Sequence, residues 1–367
     1  MELVVRKNDL LRELQLFQGI VERKNTIPIL ANVLVDARGD ELRLLATDLE
    51  VALRSRCAAS VGKSGSLTLP AKKLFEIIKA LPETDVRIQE DRSGVKIAAD
   101  RFESRLQTLP KDDFPALPES AGGAAVTLPR AALREMVAKT QFAITGEDTR
   151  FFLNGAKFIV TPTSLTLVAT DGHRLAVVDV KHGVNVAEET SVILPKKTLL
   201  ELGKLVADGD GDLTFEKGEN HLFFDIGGRV LISRMIDGQF PAYERVIPKG
   251  NDKVIEFDRD RLTSAVKRVA LLSNERSRAV KFEVGPGKVE VTSSSSEFGE
   301  AREQIPVEYN DTPIAISFNA QYVLDFLNVV ETDIVSLSLK DDVSQAVMKP
   351  VGTDAYDYTY VIMPMRI

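Results

Sequence analysis

Cysteine is almost absent. Cys57 stands alone in 367 residues, which excludes an intramolecular disulfide framework and any Cys-rich metal site and makes the cytosol the simplest compartment. Histidine is nearly as scarce: His173, His182 and His221 show no HxxxH or HExxH spacing, so there is no zinc signature. No GxSxG, no Walker A motif and no GxGxxG ahead of a helix occurs, and neither a metal nor a cofactor is expected. No apolar run approaches the ~18 residues of a membrane span. The opening MELVVRKNDLLREL mixes charge with apolar residues, unlike a secretory signal. An excess of basic residues is lacking too: the net charge is −7, which argues against a free nucleic-acid binder. What remains is a chain that is 44% apolar, with sizeable interiors and enough length for two or three domains.

The sequence repeats itself. The segments 67-LTLPAKKLFEIIKAL-81, 192-VILPKKTLLELGKLV-206 and 316-ISFNAQYVLDFLNVV-330 each read as a short strand, a Pro or Asn, then apolar residues at helical spacing. A second family interleaves with them: 3-LVVRKNDLLRELQLF-17, 126-VTLPRAALREMVAKT-140 and 254-VIEFDRDRLTSAVKRVALL-272. The segment 46-ATDLEVAL-53 is echoed by 169-ATDGHRLAV-177, and Thr292 stands in the third corresponding position. The pattern predicts three similar domains of about 120 residues, at 1–121, 122–249 and 250–367. Turn-rich linkers (117-LPESAGGAA-125 and 247-IPKGNDK-253) lie near the divisions. Each domain holds two half-units of β-α-β-β-β form. Leu10, Leu11, Leu14 and Phe17, like Leu74, Ile77, Ile78 and Leu81, give one apolar face per helix. One helix per half-unit cannot cover both faces of a parallel sheet, so the fold class is α+β with helices on one side.

The charge is unevenly distributed. The six helical segments hold 16 basic and 8 acidic residues, a net of +8, leaving −15 for the remainder. Either Lys and Arg simply favour solvated helices, or the helices share a surface that meets a polyanion while the sheets face outward.

The segment 169-ATDGHRLAV-177 gathers an acid, an imidazole and a guanidinium. A hydrolase using Asp171 and His173 is one reading. Against it, Asp171-Gly172 between two alternating runs is a hairpin-turn signal that accounts for the aspartate by turn chemistry. In the terminal 360-YVIMPMRI-367, Val361, Met363, Met365 and Ile367 alternate around Pro364. They form either a last edge strand, where Pro is tolerated, or a soft Met-lined groove.

Six motifs in order, NTIPILANV (25–33), RFFLNG (150–155), ATDGHRLA (169–176), FPAYERVIP (240–248), ALLSNER (270–276) and YVIMPMR (360–366), resemble the bacterial DNA polymerase III beta subunits, the replicative sliding clamps. The resemblance runs from end to end. It implies the DNA-clamp fold: a non-catalytic processivity subunit whose head-to-tail homodimer closes a ring around double-stranded DNA, with helices inside and sheets outside. Retention would be topological and sequence-independent, which reconciles an acidic exterior with DNA. A purely architectural homo-oligomer is the remaining alternative.

By matching positions, the resemblance implies a partner-peptide pocket of Leu153, Thr170, Gly172, His173, Arg174, Leu175, Pro241, Arg245, Val246, Val361, Met363, Pro364 and Met365, with Arg150 and Phe152 as its polar neighbourhood. Its partners would be the polymerase III alpha subunit, the clamp loader delta subunit, other polymerases, and mismatch-repair or ligase proteins. No membrane is involved, and the location would be cytoplasmic, at replication forks of the nucleoid. DNA contacts are implied for Lys24, Lys72, Lys73, Arg150, Lys196 and Lys197. A dimer interface is implied for Leu271 and Leu272 against Ile78, Arg105 and Leu106. The chain departs from the family's pattern at Phe151-Phe152, where tyrosines are common, and at Ile367, where leucine is.

Overall fold

Each repeat of the sequence pattern folds the same way: a strand, a helix, then three antiparallel strands. The computed structural model describes residues 1–21, 26–120, 122, 123, 125–207 and 209–366. Lys24 and Ile367 lie outside the described residues. The first half-unit runs β1 (Glu2–Arg6), α1 (Lys7–Phe17), β2 (Asn32–Arg38), β3 (Glu41–Thr47) and β4 (Val51–Ala58). A short β5 (Ser60–Lys63) precedes the second half-unit, β6 (Gly65–Pro70), α2 (Ala71–Ala80), β7 (Asp85–Asp91), β8 (Gly94–Ala99) and β9 (Phe102–Leu106). The third is β10 (Val126–Pro129), α3 (Arg130–Thr140), β11 (Gly155–Val160), β12 (Ser164–Thr170) and β13 (Arg174–Lys181). The fourth is β14 (Thr190–Pro195), α4 (Lys196–Ala207), β15 (Asp212–Lys217), β16 (His221–Ile226) and β17 (Arg229–Arg234). The fifth is β18 (Lys253–Asp258), α5 (Arg259–Ala270), β19 (Ala279–Gly285), β20 (Lys288–Ser295) and β21 (Gly299–Pro306). The sixth is β22 (Ile314–Asn319), α6 (Ala320–Leu327), β23 (Ile334–Leu339), β24 (Ala346–Val351) and β25 (Asp357–Ile362).

Local chemistry sets the helix starts. Pro70, Pro129 and Pro195 end the strands before α2, α3 and α4, where a missing N–H costs nothing. Asp258 accepts from the backbone N–H of Arg261 at 2.8 Å, and Asn319 from that of Gln321 at 2.9 Å, capping α5 and α6. The expected apolar stripes are buried: Leu10, Leu14 and Phe17 on α1, Leu74 and Ile78 on α2, each with no exposed surface. Each such side chain contributes about 1.5–3 kcal/mol. Leu11 and Ile77, at the margins of their stripes, are only half-buried.

The half-units interlock by exchanging first strands: β1 pairs with β7 of the next half-unit, and β6 returns to pair with β2. The middle and last pairs of half-units do the same, through β10 with β15, β14 with β11, β18 with β23 and β22 with β19. Two further pairings lengthen the sheets. β4 pairs with β17 to give the eight-stranded order β10-β15-β16-β17-β4-β3-β2-β6, and β13 pairs with β25 to give β14-β11-β12-β13-β25-β24-β23-β18.

These long sheets explain why the chain gathers into two compact units, 1–133 with 197–235, and 134–196 with 236–367. The two sheets of the middle pair of half-units belong to different units. The first unit also holds the sheet β5-β1-β7-β8-β9, the second β21-β20-β19-β22. The edge-strand alternative for the C-terminus is overturned. β25 is an interior strand, bonded to β13 on one side and β24 on the other. Its ladder ends at Ile362, so Pro364 lies past the last hydrogen-bonding position and needs no edge to tolerate it.

Candidate functional site

The three residues Asp171-Gly172-His173 connect β12 to β13, with Thr170 opposite Leu175. Gly172 sits at φ +86°, which glycine adopts without penalty. Asp171 Oδ1 accepts from the backbone N–H groups of His173 and Arg174 at 2.9 and 3.0 Å. The Thr170 hydroxyl donates to the Arg174 carbonyl at 2.6 Å and accepts from Gly172 N–H at 3.1 Å. The acid reaches His173 at its main chain, as turn chemistry requires, and its second oxygen accepts from Arg174 Nε at 3.1 Å.

Arg174 itself points inward, with its side chain 9% exposed. Its Nη1 donates to Asp325 on α6 and its Nη2 to the Phe142 carbonyl, both at 2.5 Å. The guanidinium lies 5.2 Å from the Phe142 ring centroid and 4.3 Å from that of Tyr322. It rivets the hairpin from behind and offers little surface. Tyr360, stacked on Phe326 at 5.3 Å, donates to the Tyr322 carbonyl at 2.9 Å; burial raises its pKa well above the usual phenol value.

In front of the hairpin lies an apolar cluster of Val168, Leu175, Ile193, Phe240 and Val361, with Phe152, Val177, Ile236, Tyr243 and Ile247 packed against it. Four separate stretches thus meet here, around Phe152, Leu175, Phe240 to Ile247, and Val361. The chain tail is tied down at two points, since Met363 N–H donates to the His173 carbonyl at 2.9 Å and Met365 N–H to the Ser317 carbonyl at 2.7 Å. Leu175 and Val361 are buried floor, and Leu153 is buried as well, each at most 2% exposed. Phe151, Val246 and Met363 are apolar and open to solvent; Pro241, His173 and Arg245 are exposed too. Met365 and Arg366 border an open cleft of about 1010 Å³ with Asn274, Ser277, Ser317 and Val343. Burial pushes the Tyr243 hydroxyl up to about 12.

Arg150 lies across the turn: a Cβ added to Gly172 would sit 3.3 Å from its guanidinium. Asp148 grips it at Nε (3.0 Å) and Nη2 (2.8 Å), and that bonding holds the Asp148 carboxyl down at about 2. Asp148 gave no signal in the sequence. Asp325 did, as the lone charge in an otherwise neutral helical segment, whereas the Phe142 carbonyl and the Tyr322 ring left none.

The remaining site expectations are spread over both units. Lys72 and Lys73 are exposed on α2, each near Glu76 at 3.9 and 2.7 Å. Lys196 donates to the Ile144 carbonyl at 3.1 Å, and Lys197 is bound to Asp48 and to the Ile20 carbonyl. Those two ammonium groups are engaged within the protein. Leu271 is 78% exposed and Leu272 half-buried, while Arg105 and Leu106 lie on the edge strand β9. Ile78 needs correcting: it is wholly buried in the core, and Phe75 and Ile77 are the partly exposed apolar residues of α2.

Three family models match the chain in order: the N-terminal domain of the DNA polymerase III beta subunit over residues 1–118, its central domain over 127–242 and its C-terminal domain over 244–366. The chain belongs to the DNA polymerase III beta-subunit family. It is 38% identical over 371 residues to the beta sliding clamp of Pseudomonas putida and 36% over 369 to that of Escherichia coli K12, all of each chain being covered. Among solved structures, the beta subunit of Pseudomonas aeruginosa superimposes with a TM-score of 0.93 at 37% identity, and a clamp from Bartonella birtlesii bound to griselimycin with 0.94 at 36%, again over the whole of both chains. The architecture is therefore the three-domain clamp, and the function that of a sliding clamp, a processivity subunit rather than a catalyst. Membership in the family favours the turn reading of Asp171 over the hydrolase.

Proposed function

We propose that two copies of this chain close head to tail into a ring around duplex DNA, and that the apolar site on the second unit docks peptides from the proteins the ring serves. One observation carries the dimer. Within the chain, the third strand after a helix in one half-unit joins the last strand of a later one, as β4 joins β17 and β13 joins β25. β21 is the third such strand and β9 the third such partner, and both end their sheets. A second copy completes the pairing that the fold makes twice internally, and an unpaired edge is a template for it. Net charge agrees: residues 101–106 carry Arg101, Glu103 and Arg105, a net of 2 − 1 = +1, and residues 297–306 carry Glu297, Glu300, Arg302 and Glu303, a net of 1 − 3 = −2. The domains of the proposed ring are 1–121, 122–249 and 250–367.

DNA would be held by enclosure, with Lys72, Lys73 and Arg150 supplying weak phosphate contacts that do not impede sliding. Tethering turns dissociation of a polymerase into rebinding at high effective concentration. The polymerase III alpha subunit, the clamp loader delta subunit and other polymerases, with mismatch-repair or ligase proteins, are the proposed occupants of the apolar site, in the cytoplasm at replication forks. Buried Leu175 and Val361 support a floor and exposed Met363 a flexible wall.

Two measurements test this reading. Loaded onto nicked circular DNA by a cognate clamp loader with ATP, the protein should stay bound and should fall off when the circle is linearised; retention on linear DNA would defeat the topological account. Met363→Ala with Met365→Ala should weaken a fluorescent partner peptide at least ~10-fold by polarisation, the order expected for truncating anchors, while the dimer persists. Unchanged affinity would remove the methionines from the site.

A further inference from the structure

The hairpin that forms the docking site has a twin in the first unit. β3 and β4 are joined at Thr47-Asp48 as β12 and β13 are at Thr170-Asp171, with Thr47 opposite Ala52 where Thr170 faces Leu175. The hydrogen bonds to the main chain of the turn repeat. Asp48 Oδ1 accepts from the N–H groups of Glu50 (2.9 Å) and Val51 (2.7 Å), and the Thr47 hydroxyl accepts from Leu49 N–H at 2.9 Å. The strand alongside repeats too: Arg234 N–H donates to the Glu50 carbonyl at 2.9 Å, as Met363 N–H does to that of His173. Ile232 opposite Ala52 stands for Val361 opposite Leu175. Even the floor corresponds, with Ala52, Phe223 and Ile232 packed by Leu117, in the segment FPAL that echoes the FPAY of Phe240 to Tyr243.

The side chains around the two turns differ. Leu49, at φ +80°, stands where Gly172 stands at φ +86°, so a bulky side chain is held in the left-handed region that costs leucine and not glycine. Leu49 is half-exposed and borders a space of about 50 Å³ shared with Thr47, Ala52, Leu117 and Ile232. Over it, Glu50 pairs with Arg234 at 3.4 Å, replacing His173 and Met363.

We propose that the first unit holds a second copy of the docking cleft, closed by the Leu49 side chain, so that the residue at this turn decides which of the two clefts admits a ligand. The cleft chemistry, an apolar floor under a polar turn, fits the side chain of a short apolar peptide. Removing the isobutyl group of Leu49 would enlarge the space beside Thr47, Ala52, Leu117 and Ile232, whereas Gly172 brings no side chain to its own turn, which the Arg150 guanidinium crosses. One chain therefore docks one peptide although its fold provides for two. This deepens the docking reading of the second unit and rests on it.

Reciprocal substitution tests the inference, with N-acetyl-leucyl-leucinamide as probe and methyl NMR of the full-length protein as readout. In the wild type the probe should shift the methyls of Leu175 and Val361 alone. Leu49→Gly should add saturable shifts at Leu117 and Ile232, and Gly172→Leu should abolish those at Leu175 and Val361. A Leu49→Gly protein that melts like the wild type but leaves Leu117 and Ile232 unmoved overturns the proposal, as does a wild type that shifts both sets. If Leu49→Gly does not fold, Leu49→Ala gives the same two outcomes. Silence of Leu175 and Val361 in the wild type defeats the docking reading instead, while Leu117 and Ile232 in the Leu49 variant still decide whether the twin was closed.

Discussion

Arg174→Ala is expected to destabilise the second unit by about 3–5 kcal/mol, because removing one partner of a buried ion pair leaves the other charges unmatched. Asp171 and Asp325, 15% and 19% exposed, both face its guanidinium. With the arginine gone, two carboxylates share a poorly solvated space, and the Phe142 carbonyl loses a donor. The rings of Phe142 and Tyr322 lose their cation as well. Urea unfolding followed by tyrosine fluorescence should show a transition at lower denaturant attributable to residues 134–196 and 236–367. A loss below about 1 kcal/mol would mean that the pair behaves like a surface bridge. Arg174→Ala combined with Asp325→Asn should recover part of the loss, since the second change removes one orphaned charge.

Leu271→Ala with Leu272→Ala is the second large effect expected, on association instead of folding. Burying each leucine in an interface is worth about 1.5–3 kcal/mol, so losing both should raise the dimer Kd about 10²- to 10⁴-fold. Light scattering at micromolar concentration should report monomers, and retention on circular DNA should vanish with them. Leu271 is 78% exposed, so truncating it should leave the thermal stability of the second unit nearly unchanged. Ile78→Ala makes the contrast: a core cavity should cost about 2–5 kcal/mol of folding stability in the first unit while leaving the seam chemistry in place. A dimer that survives both leucine substitutions would put the seam elsewhere.

Much of the fold was legible because period and punctuation agree. Apolar spacing marked all six helices to within a few residues, and Pro70, Pro195 and Asn319 marked the starts of three of them through local backbone chemistry. The hairpin at Asp171-Gly172 was equally legible, since a positive φ and an Asx-type turn are properties of two adjacent residues. The last strand was harder. Val361, Met363 and Met365 alternate as an edge strand would, and nothing local reveals that β13, some 180 residues earlier, bonds to β25. Ile78 is a different case: the resemblance implied it for the seam although helical spacing already set it on the apolar face of α2, and packing keeps it in the core.

By itself, then, the sequence determined the six-fold α+β repeat, the turn chemistry of its hairpins and the clamp family, since each depends on neighbours or on ordered motifs along the chain. Only the tertiary structure decided that Arg174 is an internal rivet, that Lys196 and Lys197 donate hydrogen bonds within the protein, and that the long sheets gather the chain into two units. Those outcomes turn on which distant groups share a low-dielectric space or a strand edge. That is a matter of contact, and linear spacing carries no term for it.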